Sequence, residues 1–264
     1  MNRANVKSNL RRVGVAAPYD FKKGDSKIML KLIIFDMDGV LVDSEPAITQ
    51  ASIESLRENF GIEAKHSDFK EFTGMGDDKF IQGVAEKYGK SYDVKLKLRA
   101  YEIYNAHKEW VKVFPRAKKL MQNIYNIGLK CAVASASDLV KVKVNIKKIK
   151  LGKSIKIITT DSNNNQDFKN IKRPLYVITG SDVKNKKPDP EIFLKAAEAA
   201  GISPEYTLVI EDAVSGVKAA KAAGMTCIGV TTSFRRRVLF EAGADYVVSK
   251  LYDAFDIIRA LKDN

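Results

Sequence analysis

Two residue types that often carry chemistry are nearly missing from this chain: it has two histidines and two cysteines in 264 residues. His66 and His107 stand far apart with no ligand-spaced partners, so both read as surface residues rather than metal ligands. Cys131 and Cys227 each open a short apolar run, CAVA and CIGV, where a small buried strand residue is expected rather than a disulfide or a metal pair. That implies a reducing compartment, the cytoplasm. The single tryptophan, Trp110, reads as packing. No apolar run approaches the ~18 residues that would indicate a membrane span, and the first thirty residues lack the apolar core of a secretory signal.

Acidic residues are also in deficit, 32 against 45 Lys and Arg, and the excess is unevenly placed. Residues 1–35 carry eight basic against two acidic side chains and residues 141–187 carry thirteen against three, so these stretches supply +6 and +10 and leave the remainder at −3. A basic surface attracts nucleic acid or anionic lipid without specificity. Neither stretch interleaves the aromatic residues on which single-stranded bases stack, which argues against a nucleic-acid partner. Residues 1–27 contain Gly14, Pro18 and Gly24 without periodicity and read as a disordered basic extension. Arg3, Lys7, Arg11 and Arg12 precede the first acid, Asp20, as in an organelle-targeting segment. Ser8 is the only Ser or Thr before Ser26, however, and no amphipathic helix is evident.

With 45% apolar residues the chain can bury a core of ordinary size. The stretch that organises it is LIIFDMDGVLVDSE, residues 32–45. Four apolar residues suit a buried strand, and Asp36, Asp38 and Gly39 then break the run. Two carboxylates two positions apart repel each other, and in α/β sheets ligands bind at the carboxyl ends of the strands. A cation or a reaction is the expected compensation. Further along, Ser135 closes the strand CAVA, Lys187 lies in VKNKKPDPEIF, and Glu211-Asp212 closes LVIEDAVSG.

The motif FDMDGVLVDSE, with those three partners, resembles the haloacid dehalogenase superfamily, in its β-phosphoglucomutase-like and phosphoglycolate-phosphatase-like branch with a helical cap. The resemblance covers roughly residues 28–264. It implies an α/β fold: a doubly wound, Rossmann-like parallel sheet with an inserted α-helical cap domain.

The periodicity fits that division. Residues 28–45 and 114–264 read as the α/β core, because strands and helices alternate from Pro115 onward, as a parallel sheet with right-handed crossovers requires. Residues 46–113 read as helical, with Pro46 opening the first helix and no strand signal between. Residues 139–150 suit either a helix or a strand, and the resemblance favours the helix. Residues 155–173, which contain DSNNNQ, fit neither, and are expected to form a low-complexity surface insertion.

A phosphate monoester is dianionic, so a carboxylate that attacks it meets like charge, which must be cancelled. Mg²⁺ takes hard oxygen ligands, usually one or two carboxylates with phosphate oxygens and waters; Asp36, Asp212 and Glu211 would supply such ligands, and by resemblance so would the backbone carbonyl of Asp38. Lys187 would place positive charge on the transferring oxygens and Ser135 would donate a hydrogen bond to one of them. Asp36 would attack phosphorus to form an aspartyl phosphate. Asp38 would be acid to the leaving group and then base to water.

The expected activity is a Mg²⁺-dependent phosphatase acting on a small phosphorylated metabolite. The enzyme alternative is a sugar phosphomutase. Two departures weigh against it: Ile48 stands where the mutase has a histidine, and Asp77 and Asp78 stand about where its cap has an arginine. The non-enzyme alternative is a basic binding module whose function would survive loss of Asp36.

Overall fold

The computed structural model describes residues 29–73, 75–152, 154–160 and 172–262, so the extension 1–27 and the DSNNNQ run lie outside the described residues. Strand β1 (Leu32–Phe35) is the central strand of a seven-stranded sheet. Its four side chains are wholly buried, two packing under each face, and each contributes on the order of 1.5–3 kcal/mol by leaving water. An unalternating apolar run is what a strand covered on both faces needs.

After β1 come a two-residue strand β2 (Val42–Asp43) and helix α1 (Glu45–Phe60), which has Pro46 in its first turn. A 3₁₀ segment (His66–Phe72), α2 (Asp77–Lys87) and α3 (Val94–Ala106) follow. Strand β3 (Lys112–Val113) then pairs antiparallel with β2, a small ribbon where the helical segment leaves and rejoins the sheet. The 46–113 expectation contained no strand, because two residues are too short to show a period.

The sheet continues through α4 (Ala117–Asn126), β4 (Lys130–Ala134) and α5 (Leu139–Ile149). The ambiguous 139–150 stretch is thus a helix, burying Val142, Ile146 and Ile149. Strand β5 (Lys156–Thr159) corrects the surface-insertion expectation for 155–173 at its start, while 161–171 lie outside the described residues. It pairs in parallel with β6 (Pro174–Ile178), with Ile158 opposite Tyr176, and forms one edge of the sheet. Its run of two isoleucines is a strand signal that the neighbouring polar composition obscures. Helix α6 (Glu191–Ala200), β7 (Thr207–Glu211), α7 (Val214–Ala222) and β8 (Thr226–Val230) complete the expected alternation. The chain ends with α8 (Arg236–Glu241), β9 (Tyr246–Val248) and α9 (Ala254–Lys262).

Register places the site. Phe35 is level with Val133 of β4 and with Ile210 of β7, so the residues just beyond these strands meet above the same sheet edge. The Asp36 amide donates to the Ile210 carbonyl at 2.9 Å, and the Ser135 amide to the Ile178 carbonyl at 3.0 Å. The chain adds β4, β6 and β5 on one side of β1 and β7, β8 and β9 on the other, which makes the carboxyl end of β1 the switch point where doubly wound sheets hold ligands. Among the described residues no helix is long and apolar enough to cross a membrane.

Candidate active site

A cavity of about 580 Å³ opens over that sheet edge, with Asp36, Asp38, Lys187, Glu211 and Asp212 in its floor and Ile48, Phe72 and Phe80 of the helical segment among its walls. The structure therefore gathers all six residues singled out in the sequence, with Ser135 wholly buried just beneath.

Asp36 and Lys187 meet at 2.5 Å, and the same ammonium lies 2.7 Å from Glu211 Oε1. The lysine side chain is 4% exposed. Burial disfavours its charge, but the two carboxylates outweigh burial and its pKa is raised. Asp36 is pushed up to about 7: burial dominates, Lys187 offsets part of it, and the nearby charges of Glu211 and Asp38 push the same way as burial. Asp212 is raised well above the carboxylate range by burial and then by Glu211 and Asp36. The other oxygen of Glu211 accepts the Asp212 and Ala213 amides, both at 2.7 Å. Thr232 and Ser233 donate to Asp212, an arrangement with no local signature in the sequence.

Asp38 is set differently. Burial would raise its pKa, yet the Lys141 charge and hydrogen bonds from Ser44 and Ser137 prevail and lower it. Ser137 Oγ is 2.8 Å and Ser135 Oγ 3.3 Å from Asp38 Oδ2, while Asn145 Nδ2 is 3.3 Å from Oδ1. Ser44 occupies the N-cap of α1 but turns its hydroxyl to Asp38 instead of the helix amides.

Sequence reasoning missed Ser44, Ser137, Lys141 and Asn145. Lys141 was hidden because α5 is lysine-rich, and nothing in one sequence separates its one buried ammonium from the solvated ones. Asp77 and Asp78, standing about where the mutase cap has an arginine, are not free carboxylates. Both are engaged: Asp77 by Lys141 at 3.4 Å and by the Tyr101 hydroxyl at 2.7 Å, Asp78 by Lys97 at 2.8 Å and by Tyr92 at 2.6 Å. His66 is exposed, and His107 is half-buried, stacked on Trp110.

Residues 30–224 match the family model described as haloacid dehalogenase-like hydrolase. The chain belongs to the haloacid dehalogenase-like hydrolases. The hydrolase is 37% identical over 220 residues to the Protein SUPPRESSOR OF QUENCHING 1, chloroplastic, of Arabidopsis thaliana, covering 81% of this chain but only 19% of that protein. It is 29% identical over 231 residues to the Phosphorylated carbohydrates phosphatase of Thermotoga maritima, covering 81% of this chain and 92% of the relative. The crystal structure of β-phosphoglucomutase from Clostridium difficile superposes with a TM-score of 0.69 at 21% identity, over 89% of this chain and 98% of that one, which shows a shared fold.

The donor set of this hydrolase also fits the divalent cation expected from its sequence. Four carboxylates, Asp36, Asp38, Glu211 and Asp212, face two ammonium groups, Lys187 and Lys141, and the pKa values of Asp36 and Asp212, raised first by burial, are raised further by the neighbouring carboxylates. Among the described residues no three His, Cys, Asp or Glu side chains converge as a ready-made cage. Mg²⁺ does not require one, since it binds through one or two carboxylates and keeps several waters.

Proposed function

We propose that this hydrolase is a Mg²⁺-dependent phosphatase of a small phosphorylated metabolite, working through an aspartyl phosphate on Asp36. The observation that carries the reading is the Asp36–Lys187 pair at the carboxyl end of β1: a buried carboxylate with an ammonium 2.5 Å away, beside three further carboxylates. The named phosphatase relative, covered nearly end to end, supports the same activity.

In this reading Asp36 and Asp212, with the Asp38 carbonyl, would hold the cation, and Glu211 would act through Lys187 and the 212–213 amides. The cation supplies positive charge that offsets repulsion between carboxylate and phosphate. An Asp36 oxygen attacks phosphorus, the bond from phosphorus to the ester oxygen breaks, and the leaving oxygen takes a proton from Asp38. Water then attacks the same phosphorus and gives a proton to Asp38, the acyl-phosphate bond breaks, and Asp36 is regenerated with release of inorganic phosphate. Lys187 would stay beside the transferring oxygens throughout, and Ser135 would donate to one of them. Asp38 must carry a proton for the first step. Its donors hold it as a carboxylate in the free enzyme, and the arriving dianion shifts it toward the acid.

The mutase reading draws support from the structures named β-phosphoglucomutase that share this fold. Ile48, buried and lining the cavity, has no group with which to assist proton transfer. Helices α1–α3 would act as a cap that admits water to the phosphorylated Asp36.

Incubating the enzyme with a panel of phosphomonoesters and Mg²⁺ should release inorganic phosphate, and excess chelator or Asp36→Asn should stop it. Interconversion of glucose 1-phosphate and glucose 6-phosphate without phosphate release would establish the mutase instead. Undiminished function of Asp36→Asn would favour the binding module.

A further inference from the structure

Asp138 at the N-cap of α5 and Lys141 and Asn145 on one face of the helix bond to the helical segment, and two of the three also touch Asp38. Lys141 Nζ lies 3.4 Å from Asp38 Oδ1, 3.4 Å from Asp77 Oδ1 and 3.0 Å from Ser137 Oγ. Three partners use every proton an ammonium has. The side chain is 4% exposed, and a charge so buried is tolerated only when paired. Its two carboxylates come from separate parts of the chain, Asp38 just beyond β1 and Asp77 in the first turn of α2.

Four residues further along the helix, Asn145 repeats the arrangement. It accepts from the Tyr104 hydroxyl of α3 at 2.6 Å and donates to Asp38 at 3.3 Å. At the start of the helix Asp138 pairs with Lys97 of α3 at 2.9 Å. A spacing of four residues keeps Lys141 and Asn145 on one side of α5.

Resting on the phosphatase reading, we propose that Lys141 is a positioning residue that sets the Asp38 carboxylate and joins it to the helical segment through Asp77. Asp38 is then correctly placed only while that segment is seated on the sheet. The charge of the transferring group is already served by Lys187, so Lys141 is not needed there. Well-packed apolar residues often replace buried ion pairs without loss of stability, so stability alone does not account for a polar seam. What the polar seam adds, beside Ser44 and Ser135, is a further donor for each oxygen of Asp38: Ser137, itself held by Lys141, for one, and Lys141 with Asn145 for the other.

The test compares two substrates of the full-length enzyme in Mg²⁺: an alkyl phosphomonoester, whose leaving group needs a proton, and p-nitrophenyl phosphate, whose leaving group does not. Lys141→Met should lower kcat for the alkyl ester at least about tenfold and for p-nitrophenyl phosphate less than about threefold, since only the first depends on a placed acid. Lys141→Arg should restore part of the loss. Asp77→Asn should discriminate in the same direction, and the double variant should be no worse than Lys141→Met alone, as expected of residues acting through one another. Equal losses on both substrates, or additive losses, would overturn the proposal. If Lys141→Met does not fold, Asp77→Asn and Tyr104→Phe decide alone, and wild-type kinetics in both would overturn it. A wild-type enzyme inert toward every phosphomonoester would overturn the phosphatase reading itself, and this inference with it.

Discussion

Gly39 and Asp212 are packed so closely that a Cβ on the glycine would lie 2.0 Å from Asp212 Oδ2. Gly39 also has φ +85°, a conformation that side-chain-bearing residues adopt only with strain. Its carbonyl accepts from Thr232 Oγ1 at 2.6 Å, so the turn after Asp38 is fastened to the loop that also holds Asp212. Gly39→Ala should therefore displace Asp212 and cost on the order of 1–3 kcal/mol from backbone strain. Thermal melts and phosphate release should both fall. Wild-type behaviour in both would show that the turn relaxes freely.

Asp36 makes stability depend on pH in a direction that can be checked. Its pKa is about 7 in the fold against 3.8 ordinarily, so the folded state favours the protonated form. That contribution is complete below about pH 4 and is lost as pH rises through about 7. In metal-free protein Asp36→Asn should thus gain thermal stability over wild type at pH 8, and the gap should shrink by pH 5. Mg²⁺ should raise the melting temperature of wild type more than that of the variant, as expected for a ligand of the folded state that needs this carboxylate. A gap of constant size from pH 5 to 8 would contradict the assignment.

Lys187→Met leaves Asp36 and Glu211 buried without their shared cation. Removing one partner of a buried ion pair costs about 3–5 kcal/mol. The variant should be inactive and should melt well below wild type at pH 8. The deficit should be smaller at pH 5, where Asp36 is protonated in the fold. Near-wild-type stability at pH 8 would mean that the two carboxylates find another partner.

The edge strand β5 offers a comparison inside one element. Ile158 is 9% exposed and packs with the buried cluster that includes Tyr176, whereas its neighbour Ile157 is 44% exposed. Ile158→Ala should cost about 2 kcal/mol as a large-to-small core substitution, while Ile157→Ala should stay within about 0.5 kcal/mol. Chemical denaturation measures both. Equal effects would show that β5 does not present one face to the core.

Much of this hydrolase is legible in its amino-acid order alone. Asp36, Asp38, Ser135, Glu211 and Asp212 each close, or lie close behind, a short apolar run, and a strand buried on both faces needs such a run, so the sequence marks where sheet ends and chemistry begins. The helical reading of α1 to α3 rests likewise on a local period. The last elements of the chain, α8, β9 and α9, were not anticipated.

Only the tertiary structure decided which side chains surround Asp38 and where the sheet ends. Lys141 is one lysine among several on α5, and its burial arises because α5 packs where Asp38 and Asp77, distant in sequence, come together. Strand β5 is an edge strand with one buried side chain, too weak a period to stand out beside polar sequence, and its pairing with β6 assigns it to the sheet. Local pattern determines strand ends and helix faces, because neighbours along the chain set them. The partner of a buried charge is set by packing between elements, which no local pattern encodes.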